Sequence, residues 1–178
     1  MRRRWATVLA CLASLLAVTP AASPCAAQTA LETAIKATYL YKFAPFVGWP
    51  AAQDGPFYIC IVGDDPFGTV LDQAVASQSY GSRPFQVVRM ATIAHDSTCD
   101  IAYLAGSSTQ DVAGALGSLR GAPVLTVTDA GAPAGIVQFA MQDGRVRFMI
   151  DDDQAEASGL NISSKMLSLA LAVKGGQK

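Results

Sequence analysis

Histidine is almost missing from this chain: His95 is the only one in 178 residues, so any Ser–His or Cys–His nucleophile would have to be built on that single ring. No GxSxG turn occurs either, which removes the strand-to-helix setting of an α/β-hydrolase serine. Basic residues are scattered singly. That pattern lacks the clustered positive face that a phosphate backbone requires, so nucleic acid is not an expected partner. Beyond residue 27 no stretch is long and uniformly apolar enough to cross a bilayer. Cysteine is scarce as well, and two of the four, Cys11 and Cys25, lie in the N-terminal segment.

That segment is built like a secretory signal peptide. Met1–Arg4 carries three arginines, Trp5–Val18 is apolar, and Thr19–Ala27 is small and turn-prone. The expected cut follows Ala27, with Cys25 and Ala27 as the two small residues a signal peptidase reads, so residues 1–27 leave and a single domain spans 28–178. A retained anchor is disfavoured because an apolar run of about fourteen residues falls short of the ~20 a spanning helix needs. Lipid attachment is disfavoured too, since Cys25 follows Pro24 and Cys11 lies too close to the arginines. Loss of Arg2, Arg3 and Arg4 leaves 10 basic against 14 acidic residues, a net charge near −4. The exported chain keeps Cys60 and Cys99, which suggests one disulfide; two buried thiols that never meet are the alternative. A bridge across 39 residues would stabilise the fold by about 4 kcal/mol on the chain-entropy estimate.

Along the chain, Ala30–Ala44 is predicted as a helix: Leu31, Ile35, Tyr39 and Phe43 recur every four residues, Leu40 and Val47 widen the stripe, and Glu32 and Lys36 form an i,i+4 pair. Pro45 ends it, Phe46–Pro50 makes a tight apolar turn, and Ala51–Gly55 is a loop. FYICIV, from Phe57 to Val62, reads as a strand covered on both faces. Gly63–Gly68 then leads into a helix with Asp65 as N-cap, Pro66 at the first helical position, and Val70, Leu71, Ala74 and Val75 on its buried face. Strands are expected at Phe85–Met90, Ile101–Leu104 and Val124–Val127. Before the last of these, Ser108 and Asp111 suggest a capping box for a helix carrying Val112, Ala115, Leu116 and Leu119.

IVQFAM and RVRFMI, separated by Gln142-Asp143-Gly144, read as an antiparallel hairpin. Asp151–Ser158 is expected to be a short helix and Ser163–Lys174 a final one, apolar nearly all round and therefore buried. This order predicts a three-layer α/β fold in a single domain, with a mainly parallel sheet, an antiparallel C-terminal hairpin at its edge and helices on both faces.

Few residues suggest chemistry. Gly63–Gly68 occupies the place of a phosphate loop but offers two carboxylates, no Lys and no GxGxxG spacing. His95 and Cys99 are only two candidate metal ligands, in a loop. Ser163, Ser164 and Lys165 suit a capped helix start better than a Ser–Lys pair, and consecutive Asp151, Asp152 and Asp153 suit a helix N-terminus better than a calcium loop. No catalytic residue, metal or cofactor is assigned. Among the aromatics, one helical face cannot bury Tyr39, Tyr41 and Phe43 together, so Tyr41, Phe46 and Trp49 are the candidate partner contacts, with core packing as the alternative. A small ligand would be expected at the C-terminal ends of the strands, near Gly63-Asp64 and Gly106-Ser107.

YLYKFAPFVGWP, a strand and the GDDPFG turn, and then VRFMIDDDQAEASGLNISSKMLSLA near the C-terminus together resemble the YfiR-like family of bacterial periplasmic regulators. The resemblance implies a non-enzymatic repressor that binds the periplasmic portion of an inner-membrane sensor, a diguanylate cyclase or a histidine kinase, and in the first case lowers cyclic-di-GMP synthesis and biofilm formation. It also implies a homodimer and, in some relatives, restraint by an outer-membrane lipoprotein. Some relatives carry a second cysteine pair nearer the C-terminus; this chain has none there.

Overall fold

The computed structural model describes residues 24–50 and 54–175. The expected signal segment therefore lies, up to residue 23, outside the described residues, as do residues 51–53 of the expected loop. The first element is α1 (Pro24–Phe43), which starts earlier than the expected Ala30; a proline is tolerated in a first helical turn because the leading N–H groups have no intrahelical partner. The expected cut after Ala27 falls inside this helix. Pro45 ends it as expected, and the chain tightens into a 3-10 turn over Ala44–Phe46 before β1 (Val47–Gly48). There follow β2 (Phe57–Gly63), α2 (Thr69–Val75), β3 (Ser79–Tyr80), β4 (Arg83–Met90), β5 (Ile101–Gly106), α3 (Val112–Ser118), β6 (Leu125–Thr128), β7 (Val137–Gln142), β8 (Arg145–Asp151), α4 (Asp152–Ala157), β9 (Asn161–Ile162), α5 (Ser164–Leu169) and β10 (Ala172–Lys174).

Eight strands form one sheet in the order β10-β8-β7-β6-β5-β2-β4-β3, and β1 pairs with β9 in a separate two-stranded ladder. Pairing is parallel from β4 through β2, β5 and β6 to β7, antiparallel within the β7–β8 hairpin and the β3–β4 hairpin, and parallel again between β8 and β10. The predicted three-layer α/β architecture is therefore present. In β2, Ile59 and Ile61 point into one core and Cys60 and Val62 into the other, as the two-residue period of a doubly covered strand requires. The first core lies under α1 and α2 and includes Leu40, Phe57, Tyr103, Phe139 and Phe148. The second lies under α3 and includes Ala102, Leu104, Ala115 and Leu119. Each large side chain so buried stabilises the fold by about 1.5–3 kcal/mol.

Cys60 and Cys99 are bridged, with Cα atoms 5.8 Å apart and both residues buried, so two separate thiols are ruled out. The bridge is possible because β2 and β5 are neighbours and Cys99 lies just before β5.

Four local expectations differ from the structure. Asp65 does not cap α2: its carboxylate accepts from the Phe67 N–H at 2.7 Å and pairs with Arg89, and the helix starts only after Gly68. In that later frame Leu71 and Val75 are buried while Val70 is exposed, and Leu31 on α1 is 62% exposed. Asp111, not Ser108, is the N-cap of α3, accepting from the Gly114 N–H at 2.7 Å. The backbone ahead of it is held in a turn by the Ser107 hydroxyl, which accepts from the Thr109 and Gln110 N–H groups.

The largest difference is at the C-terminus, where Ser163–Lys174 is not one buried helix. Ser163 caps α5, as a helix start was expected to be capped, but Ala170 turns extended (φ −67°, ψ 148°). Leu171 donates to the Phe148 carbonyl and β10 joins β8 in parallel. A short run apolar on every side fits either a helix or a strand. Here the free edge of β8, which has backbone groups to satisfy, decides for the strand, and the hairpin expected at the sheet edge becomes internal to it.

Candidate functional site

The aromatic turn after α1 is held from two directions. Val47 and Gly48 pair antiparallel with Ile162 and Asn161, and Ser163 donates its N–H to the Phe46 carbonyl at 2.9 Å. The two sequence segments that carry the family resemblance, far apart in the chain, thus meet in one small ladder. Within it the side chains alternate: Val47 is buried, Phe46 and Trp49 are half-buried, and Pro45, Gly48, Pro50 and Asn161 are exposed. Lys165, the second residue of α5, sets its ammonium 5.7 Å from the Phe46 ring. Trp49 meets Phe57 edge-on at 5.3 Å and donates from Nε1 to the Ala44 carbonyl at 3.4 Å.

Tyr41 is placed elsewhere on the same cluster, half-buried and edge-on to Phe85 at 6.0 Å. Tyr39 and Phe43 turn the other way, onto Phe139 and Phe148. The helix accommodates aromatics on two sides because the sheet runs beneath a wide arc of it. The three candidate contacts therefore rest on the core and also present part of their surface outward. A surface of this kind, with rigid aromatic rings backed by packed neighbours and rimmed by one cation, has the make-up of a protein-docking surface.

Three polar clusters, of which the sequence showed only the Glu32–Lys36 pair, brace the fold. Arg83 bridges to both carboxylate oxygens of Asp100 at 3.0 and 2.8 Å, donates to the carbonyls of Gly55 and Pro56, and stacks over Phe57 at 4.9 Å. Asp100 also accepts from the Tyr58 N–H at 2.7 Å, so this nearly buried pair ties together the starts of β2, β4 and β5. Arg89 does the same at the other end, joining Asp65, Asp72 and the Gly68 carbonyl. Its hydrogen bonds to Asp72 and Asp65 raise the guanidinium pKa, and the bond from Arg89 lowers that of Asp72.

The third cluster joins α1 to the ends of β5 and β6. Lys36 contacts Glu32 at 2.6 Å and Asp129 at 2.7 Å, while the Tyr103 hydroxyl donates to the other oxygen of Asp129. Burial by itself would push Lys36 down, but the bonds to Asp129 and Glu32 outweigh it and leave the ammonium above its ordinary value. Burial, and then the neighbouring Asp129, push Tyr103 up. Both pKa values thus move further above 7, Lys36 staying charged and Tyr103 neutral, the opposite of the shift general acid–base catalysis asks of a side chain. The sequence signal for these clusters was the single scattered cations themselves: Lys36, Arg83, Arg89 and Lys174 each meet a carboxylate.

The crevice expected between Gly63-Asp64 and Gly106-Ser107 is filled by backbone. Asp64 donates to the Gly106 carbonyl at 2.9 Å, and a Cβ added to Gly63, whose φ is +92°, would lie 2.0 Å from that oxygen. A cavity of about 490 Å³ lies instead between α3, α4 and the segment leading into β7, lined by Leu116, Leu119, Arg120, Ile136 and Gln154 among others. Cys99 is committed to the disulfide and His95 is exposed, so the pair does not form a ligand set. Asp151 caps α4 and accepts from Lys174, while burial and the neighbouring carboxylates raise the pKa of Asp152.

Residues 33–171 match the protein family described as YfiR/HmsC-like. The chain belongs to the YfiR/HmsC-like family. The matched stretch contains the aromatic turn, β9 and α5, so the whole candidate surface of this YfiR/HmsC-like chain lies inside it. The YfiR/HmsC-like family is regulatory rather than catalytic, and periplasmic. No helix among the described residues is long and apolar enough to cross a membrane. A search of curated proteins finds no match.

Proposed function

We propose that the protein is a periplasmic negative regulator that binds the periplasmic domain of an inner-membrane diguanylate cyclase and lowers cyclic-di-GMP output. The reading rests on membership of the YfiR/HmsC-like family, and the ladder of β1 with β9 supplies a surface for it. Phe46, Trp49 and Tyr41 are the contacts, with Lys165 at their rim. Repression is a population shift: the regulator binds the inactive conformation of the cyclase's outer domain more tightly than the active one, and the differential affinity sets how far the equilibrium moves. Residues 1–27 export the chain, which acts as a homodimer, and an outer-membrane lipoprotein competes for it. Deletion of the gene raises cyclic-di-GMP in a strain carrying such a cyclase; unchanged levels count against this partner class and turn attention to a periplasmic-sensing histidine kinase.

A second reading, a small-ligand module, is favoured by the cavity of about 490 Å³ between α3 and α4, which falls in the usual range for small-molecule sites. A thermal-shift screen of metabolites against the purified protein separates the two, because only a real site produces a concentration-dependent rise in melting temperature.

A further inference from the structure

The cavity of about 490 Å³ between α3 and α4 is one-sided in charge. Its lining is mostly aliphatic, with Leu116 and Leu119 from the α3 side and Ile136 ahead of β7, and it includes no aromatic ring. Arg120 is the one charged residue on it, accompanied by the neutral polar side chains of Gln154, Ser158 and Thr126. No carboxylate lines it, although residues 28–178 hold 14 acidic against 10 basic residues. Helix α4 carries Asp152, Asp153 and Glu156, yet what it and its cap contribute to the lining is Gln154, Ala157 and Ser158. Lys36, Arg83, Arg89 and Lys174 each hold a carboxylate; among the described residues Arg120 holds none.

Gly117, inside α3, is an independent sign that the space is kept open. A glycine within a helix is destabilising relative to alanine. Gly114 in the same helix has a packing reason, because a Cβ there would lie 3.1 Å from the Asp111 carboxylate that caps α3. A Cβ at Gly117 would meet nothing within 4 Å, and Gly117 lines the cavity, so its missing side chain leaves open volume there. Free carbonyls at a helix end repel an anion. Here they are engaged: Gly117 accepts from the Arg120 N–H, and Gln154 and Glu156 accept from the Ser158 and Gly159 N–H groups.

We propose that this cavity binds a small aliphatic carboxylic acid as its anion. The carboxylate pairs with Arg120 and accepts hydrogen bonds from Gln154 and Ser158, and the aliphatic body lies against Leu116, Leu119 and Ile136. A cation would meet the guanidinium with no carboxylate to hold it, and a neutral ligand would forgo the charged pairing. The proposal rests on the small-ligand reading and gives it a chemical class.

Isothermal titration calorimetry on the purified chain, expressed from its full-length gene, tests it with three probes that share one apolar body: octanoate, octanol and octylamine, which are anionic, neutral and cationic at neutral pH. Octanoate binds about tenfold more tightly than octanol, the margin of a charge-assisted pairing at a partly open site, and octylamine does not bind. Arg120→Gln brings octanoate down to the affinity of octanol. Gly117→Leu, which places a side chain in the open volume at a helical position, abolishes octanoate binding. Arg145→Gln, at an exposed position on β8, leaves it unchanged and controls for loss of a surface cation. Circular dichroism melts confirm that every variant is folded. Octanol or octylamine binding as tightly as octanoate overturns the anionic class and leaves the small-ligand reading standing. Octanoate binding that survives Gly117→Leu overturns the assignment to this cavity. Absence of binding by all three probes overturns the proposal, and the small-ligand reading falls with it only if the metabolite screen is also silent.

Discussion

Arg83 and Asp100 illustrate how much a single pair can hold. Asp100 is 3% exposed and receives the guanidinium and the Tyr58 N–H together, so removing either partner strands a charge among buried carbonyls. Asp100→Ala is expected to cost about 3–5 kcal/mol, the usual loss when a buried pair is broken from one side, read as a fall in the urea midpoint at constant slope. The exposed cluster at Arg89 should behave differently. Arg89 holds the Asp72 carboxyl below its ordinary value of 3.8, so the stability it contributes is complete above that value and fades as the pH drops through the lower folded value. Solvent screens the pair, and the effect is about 0.5 kcal/mol. Asp72→Asn should lower stability by that amount at neutral pH and by less at acidic pH, as the carboxylate becomes protonated in the folded state. Equal differences at the two pH values would show that Asp72 acts through packing. In sequence neither cluster was visible, because an ion pair between residues 17 apart is made by strand adjacency and not by any local period.

At the scale of elements, strands were the most legible and helix ends the least. FYICIV and the Asp-Gly hairpin were readable because strand periodicity, β-branching and turn chemistry all agree locally; Asp143 (φ 50°) and Gly144 (φ 71°) adopt the left-handed backbone that such a turn needs. The start of α2 moved because Asp65 has a tertiary alternative to capping in Arg89. The disulfide also acts between elements, joining β2 to the chain entering β5. Cys99→Ser should lower stability by about 2–4 kcal/mol and make the unfolding midpoint insensitive to dithiothreitol. A reductant-dependent midpoint in that variant would mean that some other group carries the redox response.

For the whole molecule, the candidate surface is a product of the topology. The crossover from β8 through α4 brings β9 back to β1, and only that return makes one surface of Phe46, Trp49 and Lys165. Phe46→Ala combined with Lys165→Glu is expected to abolish repression of the cyclase in cells while costing no more than about 2 kcal/mol in denaturant unfolding. Repression that survives the pair in a folded protein would move the partner contact to another face. The sequence alone determined the layered α/β class, the doubly covered first strand, the hairpin and the two cysteines available for a bridge, because composition, period and turn residues are properties of neighbours along the chain. Tertiary structure alone decided that Ala172–Lys174 is an edge strand, that the glycine rim is closed by backbone, and that the two marker segments lie side by side. Those outcomes depend on which backbone groups and surfaces remain unsatisfied once the sheet has formed, and that is set by contacts between residues distant in sequence.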